Sequence, residues 1–279
     1  MMKIFRTKHE LQRFIETCKE KNASIGFVPT MGALHSGHLS LVEASKKIAT
    51  YTVASIFVNP TQFNDKNDFS RYPRTEEKDL QMLINAGVDA VFIPETSEMY
   101  PADDALLSFD FQGLDNRFEG AHRPGHFRGV VTIVEKLFRL VEPDFVLMGE
   151  KDFQQLAIVK LLAKTFFPKV EVIGCPTIRE ENGLAKSSRN MLLSETEKSR
   201  AAQIFKTLNE TKTMWGTAPI SAIMKHAEST LGAEPFTLEY FAIVDAESLE
   251  PLEKYGEKPA VALTALRLGT VRLIDNLRF

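Results

Sequence analysis

The run Pro29-Thr-Met-Gly-Ala-Leu-His35-Ser-Gly37-His38 holds two imidazoles three positions apart, with Gly32 and Gly37 among them. A neutral imidazole donates a hydrogen bond, a protonated one carries charge, and the change falls near neutral pH. Glycine lets a backbone approach a ligand where a Cβ would otherwise stand. If a helix begins here, its first amides and the positive end of its dipole favour an anion such as phosphate. Three readings fit these residues alone: a nucleotide-phosphate site, a two-histidine metal pair and ordinary loop histidines. No Cys, Asp or Glu stands at ligand spacing to complete a metal set, and the phosphate reading also accounts for the glycines.

The elements that must position this run are legible on either side of it. Thr7 with Glu10 reads as a capping box, followed by Leu11, Phe14, Ile15 and Cys18 at helical spacing. Ser24 to Val28 reads as a short strand, and Ser36 as the cap of a helix to about Ala49. Tyr51 to Val58 is β-branched and uncharged, as a strand buried on both faces should be. Asn59 to Arg74 is a polar loop with Pro60 and Pro73, long enough to carry function. A helix opened by Thr75 and stopped at Gly87 leads to a strand at Val88 to Ile93. Further on, helices at about His126 to Leu140 and Lys151 to Phe166 alternate with strands at Phe145 to Met148 and Val170 to Ile173. Alternating helices and continuous apolar strands predict an α/β fold, a doubly wound, Rossmann-like parallel sheet whose ligands bind at the strands' carboxyl ends.

After Cys175 the rhythm changes. Ser194 with Glu197 is a second capping box, for a helix through Leu208. Ile220 to Leu231 reads as another helix, and Thr237 to Val244, Ala260 to Leu268 and Val271 to Ile274 as strands. The expected organisation is therefore a larger domain over residues 1–176 and a smaller α+β domain over residues 177–279, with Pro176 to Asn190 as the hinge.

Composition narrows the function classes. A chain of 279 residues with 44% hydrophobic and 25% charged residues is globular rather than disordered. A net charge of −3 offers no excess of cations for a nucleic-acid backbone. No run approaches a membrane span, and the opening MMKIFRTKHE turns polar too early for a secretory signal. Cys18 and Cys175 form no metal or redox spacing, as expected of reduced packing residues in the cytoplasm.

Four more segments stand in order with the histidine run: Ile56-Phe-Val-Asn-Pro-Thr-Gln62-Phe63, Arg123-Pro-Gly-His126-Phe-Arg-Gly, Gly149-Glu-Lys151-Asp152-Phe-Gln-Gln155-Leu and Ser187-Ser188-Arg189-Asn190. H-x-G-H at a strand-to-helix turn resembles the signature of the nucleotidylyl transferase superfamily. Together the five segments resemble the pantoate–β-alanine ligases, over residues 24 to 200 and again at Leu273-Ile-Asp-Asn276. The resemblance implies an ATP-dependent ligase that joins pantoate to β-alanine through pantoyl-adenylate, with Mg2+ accompanying ATP. It also implies a cytoplasmic homodimer and a C-terminal lid.

Residue roles follow from the same resemblance. It places His38 as general acid, with His35 and Lys151 beside it on the triphosphate. It extends the ATP site over Met31, Gly32, Ala33, Leu34, Ser36, Gly37, Gly149, Glu150, Asp152, Ile178, Lys186, Ser187, Ser188 and Arg189. Gln62 and Gln155 are the candidate pantoate clamps, because an amide both donates and accepts without adding charge. Pro29, Met31 and Phe57 are candidates for an apolar wall, and Arg123 and His126 either complete the acid pocket or form a simple cap and salt bridge. No metal ligand is identified; Asp79 is the one candidate. Position 186 departs from the family, which usually carries Leu or Met there.

Overall fold

The structure is a computed structural model that describes residues 1–102, 105–256 and 258–279. It divides into two compact units. The first comprises Met1–Glu150 with Gln155–Pro176, and the second Lys151–Gln154 with Thr177–Phe279.

In the first unit the elements run β1 (Lys3–Phe5), α1 (Lys8–Glu20), β2 (Ile25–Thr30), α2 (Ser36–Ile48), β3 (Tyr51–Ile56), α3 (Lys66–Arg71), α4 (Glu76–Ala86), β4 (Ala90–Phe92), α5 (Thr96–Met99), α6 (Glu119–His122), α7 (His126–Val141), β5 (Phe145–Gly149), α8 (Phe153–Phe166) and β6 (Glu171–Cys175). The six strands form one parallel sheet in the order β1-β4-β3-β2-β5-β6. From β2 the chain winds outward through β3 and β4, then returns to add β5 and β6 on the other side of β2. The winding direction thus reverses between β2 and β5, and a crevice at such a reversal is where open α/β sheets bind ligands. The run with both histidines leaves the carboxyl end of β2.

Central strands bury both faces. Ile25, Phe27 and Val28 of β2, with Val53 and Ala54 of β3, are at most 1% exposed. One face packs on α1, α7 and α8 through residues such as Phe14, Val131, Phe138 and Ile158. The other packs on α2 and α4 through Leu41, Val42 and Leu83. The Thr7–Glu10 capping box forms as expected, and Leu11, Phe14, Ile15 and Cys18 are the buried face of α1. Burial also pushes the thiols of Cys18 and Cys175 up, so both are poor nucleophiles.

Several boundaries differ from expectation for local reasons. His35, not Ser36, caps α2. The loop from Asn59 to Arg74 contains a 3-10 turn, Pro60–Gln62, started by the Asn59 side chain, and the short helix α3. Thr75 does not cap the backbone of α4; its hydroxyl donates to Asp79 Oδ1 at 3.1 Å instead. The edge strand β1 was not expected, being only three residues long.

The second unit contains α9 (Glu195–Ala201), α10 (Gln203–Met214), α11 (Ile220–Leu231) and the strands β7 (Phe236–Asp245), β8 (Ala260–Leu268) and β9 (Val271–Arg278). One antiparallel sheet, β7-β8-β9, packs on α10 and α11 through Ile204, Leu208, Ile223, Ala227, Ile243 and Leu266. The helix expected from Ser194 to Leu208 breaks at Ala202 into two. At the end of β7 the buried Asp245 accepts from the amides of Glu247 and Ser248 and from the Ser248 hydroxyl, which fixes the following turn. The bonds from Ser248, then that from Glu247, hold its carboxyl below the usual range.

Candidate active site

The histidine turn is wound on itself. Gly32 has φ +78 and Ala33 φ +49, left-handed values that cost glycine little and alanine more. The strain is held by Asp79 of α4, 1% exposed, whose two carboxylate oxygens accept the amides of Ala33 and Leu34, each at 2.8 Å. A Cβ on Gly32 would meet Asp79 Oδ2 and Ile56 Cγ2 at 3.1 Å. The side chains of Ala33 and Leu34 are buried. Asp79 therefore anchors the turn, and its oxygens are occupied by two amides and the Thr75 hydroxyl. Among the described residues no group of three or more His, Cys, Asp or Glu could hold a metal ion.

His35 and His38 form a reciprocal capping box. His35 Nδ1 accepts from the amide of Gly37 at 3.1 Å, and His38 Nδ1 accepts from the amide of His35 at 3.3 Å. An Nδ1 that accepts from an amide carries no proton, so in each neutral ring the proton resides on Nε2. The rings lie 4.1 Å apart, centroid to centroid. The turn thus consumes the amides of Gly32, Ala33, Leu34, His35 and Gly37 internally. In each neutral ring Nε2 is therefore the donor nitrogen.

A second cluster in the same unit surrounds Gln62, which is 8% exposed. Its Oε1 accepts from Asn59 Nδ2 at 3.1 Å, and its Nε2 lies 2.9 Å from Met31 Sδ on the histidine turn. Asn59 is in turn held by the Tyr100 hydroxyl at 2.7 Å and by its own donation to Gly129 O at 3.1 Å. The carbonyl of Gln62 accepts from His126 Nδ1 at 2.7 Å and from Arg123 at 3.4 Å. Because a carbonyl only accepts and a guanidinium only donates, His126 carries its proton on Nδ1 and accepts from Arg123 at Nε2, 3.0 Å away. Arg123 also lies 3.8 Å from the buried Glu119. His126 and Arg123 thus join the Gln62 cluster through its backbone. Asn59 and Tyr100, which sequence reasoning did not single out, hold that cluster in place as Asp79 holds the histidine turn. Gln155, on α8 in this unit, is half-buried, and its side chain has no hydrogen bond among the described residues.

The remaining site residues follow β5 or belong to the second unit. Gly149 and Glu150 are half-buried and end the first unit's β5 segment, while Lys151 and the exposed Asp152 cluster with the second unit. Lys151 opens no α-helix; it sits in a 3-10 turn, Glu150–Asp152, with α8 beginning at Phe153. Its backbone carbonyl accepts from Asn276 Nδ2 at 2.9 Å. Arg179 and Ala185 bridge a tight hairpin, and Ile178 pairs outside it, its carbonyl accepting the amide of Lys186 at 2.9 Å. Ser187 caps the next 3-10 turn by accepting from the amide of Arg189 at 3.3 Å, and Ser188 inside that turn is buried. The Lys186 ammonium pairs with Glu180 Oε2 at 2.9 Å.

The sequence model for pantoate–β-alanine ligases matches residues 3–278. The chain belongs to the pantoate–β-alanine ligase family. It is 44% identical to the pantothenate synthetase of Bacteroides fragilis over 100% of this chain and 99% of that one. The identity is also 44% with the pantothenate synthetase of Acetivibrio thermocellus, over 99% and 98%. A crystal structure of pantothenate synthetase from Thermus thermophilus superposes with a TM-score of 0.92 at 42% identity, covering 99% of each chain. The pantoate–β-alanine ligase of Francisella tularensis, crystallised with β-γ ATP and β-alanine, gives 0.82 at 34% identity, covering 100% of this chain and 98% of that one. Within this family the fold expected from the sequence, a parallel α/β sheet followed by a small antiparallel sheet, is the fold found.

Proposed function

We propose that the two Nε2–H groups of His35 and His38 receive the phosphate oxygens of ATP while pantoate is adenylylated beside them. The chain is an ATP-dependent ligase that condenses pantoate with β-alanine. A pantoate carboxylate oxygen attacks the α-phosphorus, the bond from that phosphorus to the bridging oxygen of the β-phosphate breaks, and pyrophosphate leaves. The β-alanine amine then attacks the acyl carbon, loses a proton, and displaces AMP to leave the amide.

The observation that carries this assignment of roles is the imidazole capping box, which holds both rings in the donor tautomer. Fixed donors aimed at developing charge need no reorganisation as the reaction proceeds. His38, at the third helical position, donates its Nε2–H to the leaving oxygens; the general-acid role that the resemblance assigns it needs a protonated ring, which gives up the bond its Nδ1 accepts from the His35 amide. Lys151 contributes a compact positive charge to the phosphates, and Ser187, Ser188 and Arg189 bind the outer phosphates and exclude water from the adenylate. Gln62 presents the second N–H of its amide to pantoate, its oxygen accepting from Asn59 and its nitrogen also lying against Met31 Sδ. His126 and Arg123 fix the Gln62 backbone, Met31 and Phe57 supply apolar surface, and Gln155 is the second clamp.

Mg2+ arrives bound to the triphosphate, the usual arrangement for a cation that keeps much of its water and leans on phosphate oxygens. The homodimer and cytoplasmic location belong to the same reading, supported by family membership. So does the division of labour between an ATP- and pantoate-binding domain and a C-terminal lid. The test is a reaction with ATP, Mg2+, pantoate and β-alanine, with AMP, pyrophosphate and the amide expected in equal amounts. AMP retained in the organic product would instead mark a nucleotidylyl transferase, and absence of AMP would defeat the assignment.

A further inference from the structure

Asn276 is 7% exposed and lies far along the chain from Lys151, yet its side-chain amide donates to the Lys151 carbonyl at 2.9 Å. Its own peptide groups are clamped on both sides. The backbone N–H donates to Asp275 Oδ1 at 2.8 Å, and the backbone carbonyl accepts from Arg179 at 3.3 Å. Arg179 in turn grips Asp275 with two nitrogens, at 2.6 and 3.0 Å, and its guanidinium stacks 3.6 Å from the centre of the Phe205 ring. Paired, planar contacts of this kind fix orientation as well as distance.

We infer that Asn276, set by the Arg179–Asp275 pair, is a positioning residue that aims Lys151 at the triphosphate. A lysine side chain has four flexible carbons, so its reach is useful only when its backbone is fixed. Lys151 stands in the 3-10 turn Glu150–Asp152, at the point where the chain enters α8. The Asn276 amide supplies a restraint there from β9. The same Arg179 donates to Gly183 O at 3.0 Å in the hairpin that leads to Lys186 and Ser187. Both phosphate-binding segments of the second unit are thereby tied to one buried ion pair. The inference rests on the assignment of Lys151 to ATP.

The experiment is a double-mutant cycle on Asn276→Ala and Lys151→Ala, read by pantoate-dependent exchange of labelled pyrophosphate into ATP. Thermal melts check folding, and Asn276→Leu, close in size but without a donor, takes the test should the alanine variant not fold. In the otherwise unaltered protein Asn276→Ala should cut the exchange rate roughly tenfold, the scale of a modest misplacement of a catalytic group. In the Lys151→Ala background it should cost less than about twofold, because the group it aims is gone. Equal losses in both backgrounds, or no loss in either, would overturn the inference while leaving Lys151 in its role. If Lys151→Ala itself leaves exchange unchanged, the assignment beneath the inference fails, and the inference with it.

Discussion

Asp79 Oδ1 accepts the amide of Leu34 at 2.8 Å, so the turn that carries both histidines is held by a carboxylate on helix α4. The neighbouring oxygen does the same for Ala33, whose φ of +49 is unfavourable without such support. Asp79→Ala would leave two amides without an acceptor in a buried site. The expected cost is about 2–4 kcal/mol, measured by urea unfolding. Exchange activity should fall as well, because the imidazoles lose their fixed platform. Full activity with unchanged stability would show that the turn holds its shape unaided.

His38→Ala removes the acceptor that caps the His35 amide and, on the proposed function, a phosphate donor as well. The rate of pantoyl-adenylate formation should drop ~10²–10³-fold, while ATP affinity by calorimetry changes far less. Loss of the cap should lower stability by about 1 kcal/mol. Rate and affinity falling by equal factors would contradict a role in the transition state.

The pattern of what was legible in the sequence follows from range. Thr7 and Glu10, or Ser194 and Glu197, announce their helices because each capping box closes within four residues. The H-x-G-H spacing likewise brings His35 and His38 together, since both lie in one turn. The anchoring role of Asp79 was opaque for the opposite reason. It sits four residues after Thr75 on a helix with Glu76 and Glu77, where its carboxylate reads as a candidate cation ligand rather than as an acceptor of backbone amides. Its real partners lie more than forty residues upstream. Asn59 and Tyr100 were hidden in the same way. The helix break at Ala202 falls where the sequence has neither Gly nor Pro, so no local residue betrays it.

The cluster around Gln62, proposed to bind pantoate, depends on a close approach between α7 and the turn at Pro60–Gln62. A Cβ at Gly129 would overlap the carbonyl of Thr61 and the amide of Gln62, backbone atoms that cannot swing aside. Gly129→Ala should therefore displace Gln62, at a stability cost of about 1–3 kcal/mol. The KM for pantoate is expected to rise roughly tenfold with that for ATP nearly constant. A rise in both together would place Gln62 outside the pantoate pocket.

Asp245 provides a pH-dependent check of the second unit. Folding depresses its pKa, chiefly through the bond from Ser248, so its stabilisation is complete above the unfolded carboxylate value near 4. That contribution is lost as the pH falls through the lower, folded value. Asp245→Asn should thus lower the melting temperature at pH 7, and the gap from the unaltered protein should close in acid. A gap that stays constant down to pH 2 would mean that the carboxylate charge contributes nothing.

Lys186 stands where the resemblance leads one to expect Leu or Met. An unpaired ammonium there would add a charge next to Ser187 and Ser188, the serines proposed to bind phosphate. Its partner Glu180 lies 2.9 Å away and both side chains are partly exposed, so the charge is balanced locally and the pair is worth only ~0–1 kcal/mol. Lys186→Leu should accordingly leave stability almost unchanged and shift the KM for ATP by less than about threefold. Glu180→Ala is the more consequential change, because it frees the ammonium. That variant should bind ATP more tightly at low ionic strength, with the gain fading as salt screens the new attraction. Tighter binding in Lys186→Leu but not in Glu180→Ala would mean that the bulk of the lysine, rather than its charge, obstructs the nucleotide.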